Sequence, residues 1–572
     1  MQIAAQAHAG VASGQRRAAG ARAAPGCGGS SRMPAPLAPR ASPRCAAAAP
    51  ARAWAARSAP ARVTRRQARG VAAAAGGEEQ VLDTVVVGAG ISGLVTAQAL
   101  LTRHGGAVGS FLVTEGRERV GGNITSMAGD GYVWEEGPNS FQPNDAMLQA
   151  AVDAGVDRDL VFGDPTAPRF VFWDKKLRAT PSGPDALTFD LLSVWGKIRA
   201  GLGAVGLVKG GPMPEYEESV EQFIRRNLGD EVFERLIEPF CSGVYAGNPS
   251  KLSMQAAFNK IWILEKNGGS LIGGAVKLFQ DRKANPPPPR DARLPPKPKG
   301  QTVGSFNRGL RVLTDAIGEK LGDRVRLNWK LTGLSKTPEG FIRLSYDTPA
   351  GPTSLTARSV AMTIPAWALA DLLKDSAPAA AQALASFDYP PVGAVTLAYP
   401  TTAVRDDRKA PDGSVPGFGQ LHPRSQGVTT LGTIYSSSLF PGRCPPGEML
   451  LLNYIGGATN RGVKEASTEE LVAQVDRDLR TMLLKPDAPQ PRVVGVRVWP
   501  RAIPQFNVGH GELLAQAKQG LAAAGLEGVR LGGNYVAGVA LGKCVEYGFE
   551  FADEVTGYVA SAAPAPAAKV AA

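Results

Sequence analysis

The run Gly88-Ala89-Gly90-Ile91-Ser92-Gly93 has the spacing GxGxxG. Each glycine has a task in binding a dinucleotide. The first makes a tight turn, the second lets backbone N–H groups approach a pyrophosphate, and the third allows a helix to press on a strand. Glu115 follows 27 residues after Gly88, where a carboxylate can accept hydrogen bonds from both hydroxyls of a ribose. An acidic residue there, with no arginine in its place, disfavours a 2′-phosphate. Gly88, Ala89, Gly90, Ile91, Ser92, Gly93, Glu115 and its neighbour Gly116 are therefore candidate dinucleotide contacts.

Such a motif works only between a strand and a helix. Val81 to Val87 is an apolar, β-branched run predicted as a buried parallel strand. Ile91 to Arg103 carries Ile91, Leu94, Val95 and Leu101 at spacings that suit a helix packed on that strand, and Ser110 to Thr114 reads as the next strand. Further on, Ser305 to Leu321 reads as a helix, Arg324 to Leu327 as a short strand, and Ser359 to Ile364 as a strand stopped by Pro365. Val529 to Val555 reads as a strand running through Gly532-Gly533-Asn534 into a helix from about Gly542. The expected fold class is α/β, with a discontinuous Rossmann-like domain in three parts, 80–165, 301–365 and 511–560. A mixed-sheet substrate domain is expected over 366–510, and a helical, membrane-facing region over 166–300.

Within that region, residues 281–300 hold seven prolines among many charges, which predicts an exposed, semi-extended loop rather than helix or central strand. Before it, Trp195, Ile198, Leu202 and Val205 fall at helical spacing in Phe189 to Leu207, with Lys197 and Arg199 between them. Two readings stay open for this stretch: a core helix, or an amphipathic surface resting on a membrane. No run of about 18 apolar residues without charge occurs, so a spanning helix is not expected.

The formal net charge of +12 suggests nucleic acid until it is located. Residues 1–77 contain twelve Arg and no Asp, Glu or Lys, and the rest of the chain balances 51 basic against 51 acidic residues. A nucleic-acid partner loses its support, because phosphate binding needs a basic folded surface. The acid-free, Ala/Arg-rich, proline-punctuated segment 1–77 reads as an organelle transit peptide, plastid preferred and mitochondrion the alternative. Residues 561–572 read as a disordered tail. Cys241, Cys444 and Cys544 match no metal or CxxC spacing, and only four His are present, so no metal site is expected. No pair of His or carboxylates stands out as a catalytic acid and base.

Behind Glu115 come Arg117-Glu118-Arg119-Val120-Gly121-Gly122-Asn123 and then Glu135-Glu136-Gly137-Pro138-Asn139. GxGxxG, E-x-R-x-R-V-G-G and EEGPNSF, in that order, resemble the flavin amine oxidase superfamily. The resemblance implies non-covalent FAD, with Gly122, Asn123, Glu136, Gly137, Pro138, Asn139, Val325, Asn534, Val539, Ala540 and Leu541 added to its contacts. Within the superfamily, residues 80–560 are similar to the protoporphyrinogen oxidases, plastid type. The blocks that carry this are Ala167-Pro168-Arg169-Phe170, Pro239 to Gly247, Gly432 to Pro441, Trp499 to Phe506 and Leu531 to Gly542.

That resemblance implies a six-electron oxidation of protoporphyrinogen IX to protoporphyrin IX, on the route to haem and chlorophyll, with O2 as acceptor and three H2O2 formed. It makes Arg169 the partner of a propionate, a role that suits a guanidinium, which binds carboxylate bidentately. It sets Leu421, Ile434 and Tyr454 around the tetrapyrrole and Gly243 against it. Peripheral contact with a thylakoid or envelope membrane is expected, and a homodimer is left open. A flavin amine oxidase or a carotenoid desaturase shares the same motifs, and a non-enzymatic escort protein for small GTPases shares the fold.

Overall fold

Val85, Val86 and Val87 are at most 4% exposed, because the strand they end is covered on both faces, as apolar parallel strands are. The computed structural model describes residues 80–181, 189–298, 300 and 302–561; the proposed transit segment 1–77 lies outside them, as does the expected tail 561–572 except Ser561, which ends helix Leu541–Ser561. Strand Val81–Val87 pairs in parallel with Phe111–Glu115 on one side and with the end of Gly351–Met362 on the other. Val325–Leu327 and Val529–Leu531 extend the parallel set at its two sides, and an antiparallel ribbon, Lys330–Lys336 with Ile342–Thr348, joins Gly351–Met362. Three stretches far apart in sequence thus build one seven-stranded sheet.

Helices Ile91–Arg103, Arg311–Leu321 and Leu541–Ser561 pack on one face, through Val86, Leu94, Val113, Ile317 and Phe551. The other face buries Val85, Met362, Leu369 and Leu384.

A second seven-stranded sheet runs Arg492–Trp499, Val392–Pro400, Glu448–Gly456, Thr430–Tyr435, Gly419–Leu421, Arg169–Trp173, Lys176–Ala179. Its pairings are antiparallel except Gly419–Leu421 with Arg169–Trp173. Helix Thr468–Met482 covers one face, with Leu471, Val475 and Leu479 on Val395 and Leu397. A helical unit between residues 189 and 284 has its own core around Phe223, Ile224 and Phe233.

Five expectations are corrected. Ser305 to Leu321 is not one helix: Gly304–Phe306 is a strand paired with Leu160–Phe162, and the helix starts at Arg311, after Gly309 at φ +97°. Residues 281–284, assigned to the proline-rich loop, continue helix Leu271–Ala284, because the first proline comes only at 286. The strand of Ser110 to Thr114 lies one residue later, and that of Ser359 to Ile364 is the end of the longer Gly351–Met362. For Phe189 to Leu207 the core reading fails: the helix is Val194–Ala204, and Trp195 is 79% exposed. Among the described residues no helix is long and apolar enough to cross a membrane.

Candidate functional site

The turn after strand Val81–Val87 holds Gly88 at φ +103°, a conformation that favours glycine. A Cβ at Gly93 would lie 2.0 Å from the Gly88 carbonyl oxygen, so helix and strand meet there only because the residue is glycine. Gly90 is the reverse case. A Cβ there would meet nothing nearer than 4.0 Å, which leaves open space above the backbone. Glu115 closes the crevice, its carboxylate accepting the N–H groups of Ala89 (2.9 Å) and Arg117 (3.0 Å).

The second glycine pair stands against the first. Gly121 N–H donates to Ala89 O at 2.8 Å, and Gly122 faces Gly90. Arg117 and Arg119 both donate to Gly122 O, at 3.1 and 3.0 Å, and Arg119 also holds Ile124 O and Thr125 Oγ1. Their alternation beside a glycine pair is the sequence signal for this task, which the E-x-R-x-R-V-G-G motif alone does not assign. They brace the loop and put two cations beside it.

Helix Leu541–Ser561 runs parallel to Ile91–Arg103. Position 548 abuts Val95, Arg103 lies over the Phe549 ring at 3.9 Å, and His104 meets Asp553 at 2.9 Å. Val539, Ala540 and Leu541 therefore start one helix next to the start of another. Two positive helix ends face the same crevice, an arrangement suited to a pyrophosphate. Asn534 opens a short helix at the same end of the sheet, and Asn144 Nδ2 donates to Gly542 O at 3.1 Å. Val325 pairs with Val113, on the sheet face that carries Glu115.

The turn of Glu136, Gly137, Pro138 and Asn139 packs directly on this loop. Glu136 N–H donates to Thr125 O at 2.9 Å, and a Cβ at Gly137 would sit 2.0 Å from Asn123 O. Burial raises the Glu136 carboxyl, with Arg497 and Arg119 opposing. Next to it, Glu135 is 5% exposed and accepts from Ser126 Oγ (2.6 Å) and Leu310 N–H (2.9 Å), with Arg443 at 3.9 Å.

Burial pushes the Glu135 carboxyl up to about 7. An unfolded glutamic acid loses its proton near 4.5, so between these values the unfolded chain binds fewer protons and stability falls as pH rises. The interval corresponds to a loss on the order of 3 kcal/mol. We expect denaturation midpoints to drop from pH 4.5 to 7, and Glu135→Gln to flatten that slope; an unaltered slope would remove Glu135 as its cause.

The second sheet brings four candidate residues to one face. Register aligns Leu421 with Gly432, Tyr454, Ala394 and Arg497, and two residues along each strand it aligns Arg169 with Gly419, Ile434 and Leu452. Side chains repeat every second residue, so Arg169, Leu421, Ile434 and Tyr454 share a side, opposite the one covered by helix Thr468–Met482. Arg169 is half-buried with its guanidinium 5.0 Å from the Phe418 ring, and burial lowers it from its ordinary value. Gly243, on helix Glu238–Tyr245, faces Leu421: a Cβ there would lie 2.3 Å from Leu421 Cδ2. Its missing side chain thus makes room for Leu421. Tyr454 joins the two halves of the site, its hydroxyl bonded to Gly137 O at 2.9 Å and Asn139 Nδ2 at 3.2 Å.

The sequence matches the family described as flavin containing amine oxidoreductase over residues 91–556. The chain belongs to that family. It is 59% identical to protoporphyrinogen oxidase 1, chloroplastic, of Spinacia oleracea, over 84% of this chain and 85% of the relative. It is 60% identical to the chloroplastic protoporphyrinogen oxidase of Oryza sativa subsp. japonica, over 85% and 90%. A crystal structure from Exiguobacterium assigned to protoporphyrinogen oxidase superposes with a TM-score of 0.65, covering 84% of this chain and 99% of its own at 23% identity. Putrescine oxidase superposes with a TM-score of 0.57, covering 84% and 100% at 17% identity; these two likenesses show the fold alone.

For a flavin oxidoreductase of this family the crevice residues fit FAD. The space above Gly90, the paired helix starts and the arginine-braced glycine loop suit its pyrophosphate, and Glu115 suits an unphosphorylated ribose. Cys544 is buried with its thiol pushed up to about 11, and it donates to Gly538 O at 3.3 Å.

Proposed function

We propose that this chain is an FAD-dependent protoporphyrinogen oxidase, converting protoporphyrinogen IX to protoporphyrin IX with loss of six hydrogens to three O2, which leave as three H2O2. The observation that carries the reading is the shared face of Arg169, Leu421, Ile434 and Tyr454, joined at Tyr454 to the turn beside the dinucleotide crevice. When bound, FAD supplies the two-electron acceptor for each of three oxidations. Arg169 holds a propionate carboxylate, and its partial burial strengthens that pairing because less water competes. Leu421, Ile434 and the Tyr454 ring offer apolar surface to the macrocycle.

The test is anaerobic mixing of the yellow holoprotein with protoporphyrinogen IX. Bleaching of the flavin absorbance, followed by porphyrin fluorescence when air is admitted, is expected. A flavin that stays oxidised with this substrate but bleaches with an amine would turn the reading towards an amine oxidase.

The same proposal places the protein on a plastid membrane, with residues 1–77 as its leader. Val194 (70% exposed), Trp195 (79%) and Leu207 (75%) stand out from the unit that carries Gly243, with Val276 and Phe279 also exposed. Exposed apolar side chains of this kind on one helical unit suit a lipid interface. Trp195→Glu combined with Leu207→Glu should abolish co-flotation with anionic vesicles while leaving the fold intact; unchanged flotation would reject this surface.

A further inference from the structure

Two ring donors from the second sheet grip consecutive carbonyls of one turn. Trp499 Nε1 donates to Glu136 O at 2.6 Å, and the Tyr454 hydroxyl donates to Gly137 O at 2.9 Å while accepting from Asn139 Nδ2 at 3.2 Å. Asn139 Oδ1 is in turn held by Ser140 Oγ at 2.7 Å. The other side of the turn is fixed to the glycine loop, through Glu136 N–H on Thr125 O and the contact of Gly137 with Asn123 O. Tyr454 and Trp499 come from strands separated by Val392–Pro400 in the sheet, so the grip spans three neighbouring strands.

We propose that the Tyr454 hydroxyl is a positioning group: with Trp499 it clasps the Glu136–Asn139 turn and fixes how far the substrate face stands from the cofactor crevice. The inference rests on the function proposed above and assigns the two parts of Tyr454 different work. Its ring serves binding; its hydroxyl serves alignment. A displacement of about 1 Å between bound partners can cost on the order of a hundredfold in rate, and loss of the hydroxyl leaves a half-buried acceptor and donor without their partner.

The experiment compares Tyr454→Phe, Tyr454→Leu, Trp499→Phe and the Tyr454→Phe/Trp499→Phe double variant as holoenzymes, each normalised to bound FAD. Tyr454→Phe keeps the ring, so KM should stay within about twofold while kcat falls about tenfold (roughly 1.4 kcal/mol). Tyr454→Leu should also raise KM. Trp499→Phe should lower kcat in the same way, and the double variant should fall less than the product of the two, because both bonds hold one turn.

A second readout needs no turnover. Titration of apoprotein with FAD, followed by flavin fluorescence, should give an altered emission for Tyr454→Phe, and backbone hydrogen exchange at Gly137 and Asn139 should quicken. Wild-type kcat and wild-type emission in Tyr454→Phe would overturn the clasp. So would a raised KM with kcat unchanged, which would give the hydroxyl to the substrate. If Tyr454→Phe does not fold, Trp499→Phe with unchanged exchange and kcat overturns it equally. Should the wild type fail to oxidise protoporphyrinogen, the proposed function falls, and emission and exchange still decide the clasp.

Discussion

Replacement of Arg169 by alanine should raise KM for protoporphyrinogen IX by roughly ten- to a hundredfold. A hydrogen-bonded charge contact contributes about 1.5–3 kcal/mol net, and each 1.4 kcal/mol is about a factor of ten. The setting favours the upper part of that range, because the guanidinium is half-buried against Phe418 and burial already lowers its pKa. Arg169→Lys should fall between, since an ammonium keeps the charge but loses the planar fork. Steady-state kinetics with the diacid and with its dimethyl ester provide the check. Alanine should be costly with the diacid, and the two proteins should handle the ester alike. Equal KM for the diacid would remove the propionate role.

The second large effect separates two glycines of one motif. At position 93 a Cβ would lie 2.0 Å from Gly88 O and 2.6 Å from Thr363 Oγ1. Backbone cannot withdraw as a flexible side chain can, so Gly93→Ala should destabilise the protein by about 3 kcal/mol or more and leave little soluble holoenzyme. At position 90 a Cβ has 4.0 Å of clearance. Gly90→Ala should fold with the midpoint of the wild-type apoprotein yet bind FAD at least about a hundredfold more weakly, because the methyl stands where phosphate must approach the backbone. Calorimetry of the apoproteins and FAD titration distinguish the two. Wild-type FAD affinity in Gly90→Ala would move the pyrophosphate elsewhere.

What could be read in advance follows the range of the forces involved. Strand Val81–Val87 and helix Ile91–Arg103 have the bounds the sequence suggested, because a β-branched run, a glycine turn and an apolar helical spacing are all local signals. The first half of Gly351–Met362 escaped notice: Gly351-Pro352-Thr353 resembles a turn, and only pairing with Ile342–Thr348 makes it strand. Gly304–Phe306 was hidden for the same reason, its partner lying about 140 residues earlier.

At the site, the glycine motif and Glu115 were legible from spacing, whereas the candidate substrate residues rested on resemblance. Their common face is a property of sheet register, which no stretch of sequence states. Arg117 and Arg119 carry only the hint of their alternation beside a glycine pair, and Trp499 carries none, since each acts on a backbone carbonyl; for Trp499 that carbonyl is 363 residues away.

The cofactor sheet takes its strands from residues 81–115, 325–362 and 529–531, and the second positive helix end begins only at Leu541. A nascent chain still short of residue 529 therefore has a glycine loop but neither the last strand nor the paired helix that complete the cradle. Acquisition of flavin must wait until the carboxyl-terminal helix has left the ribosome. Until then the apolar faces destined for that helix, around Leu94 and Val95, are surfaces for a chaperone to shield.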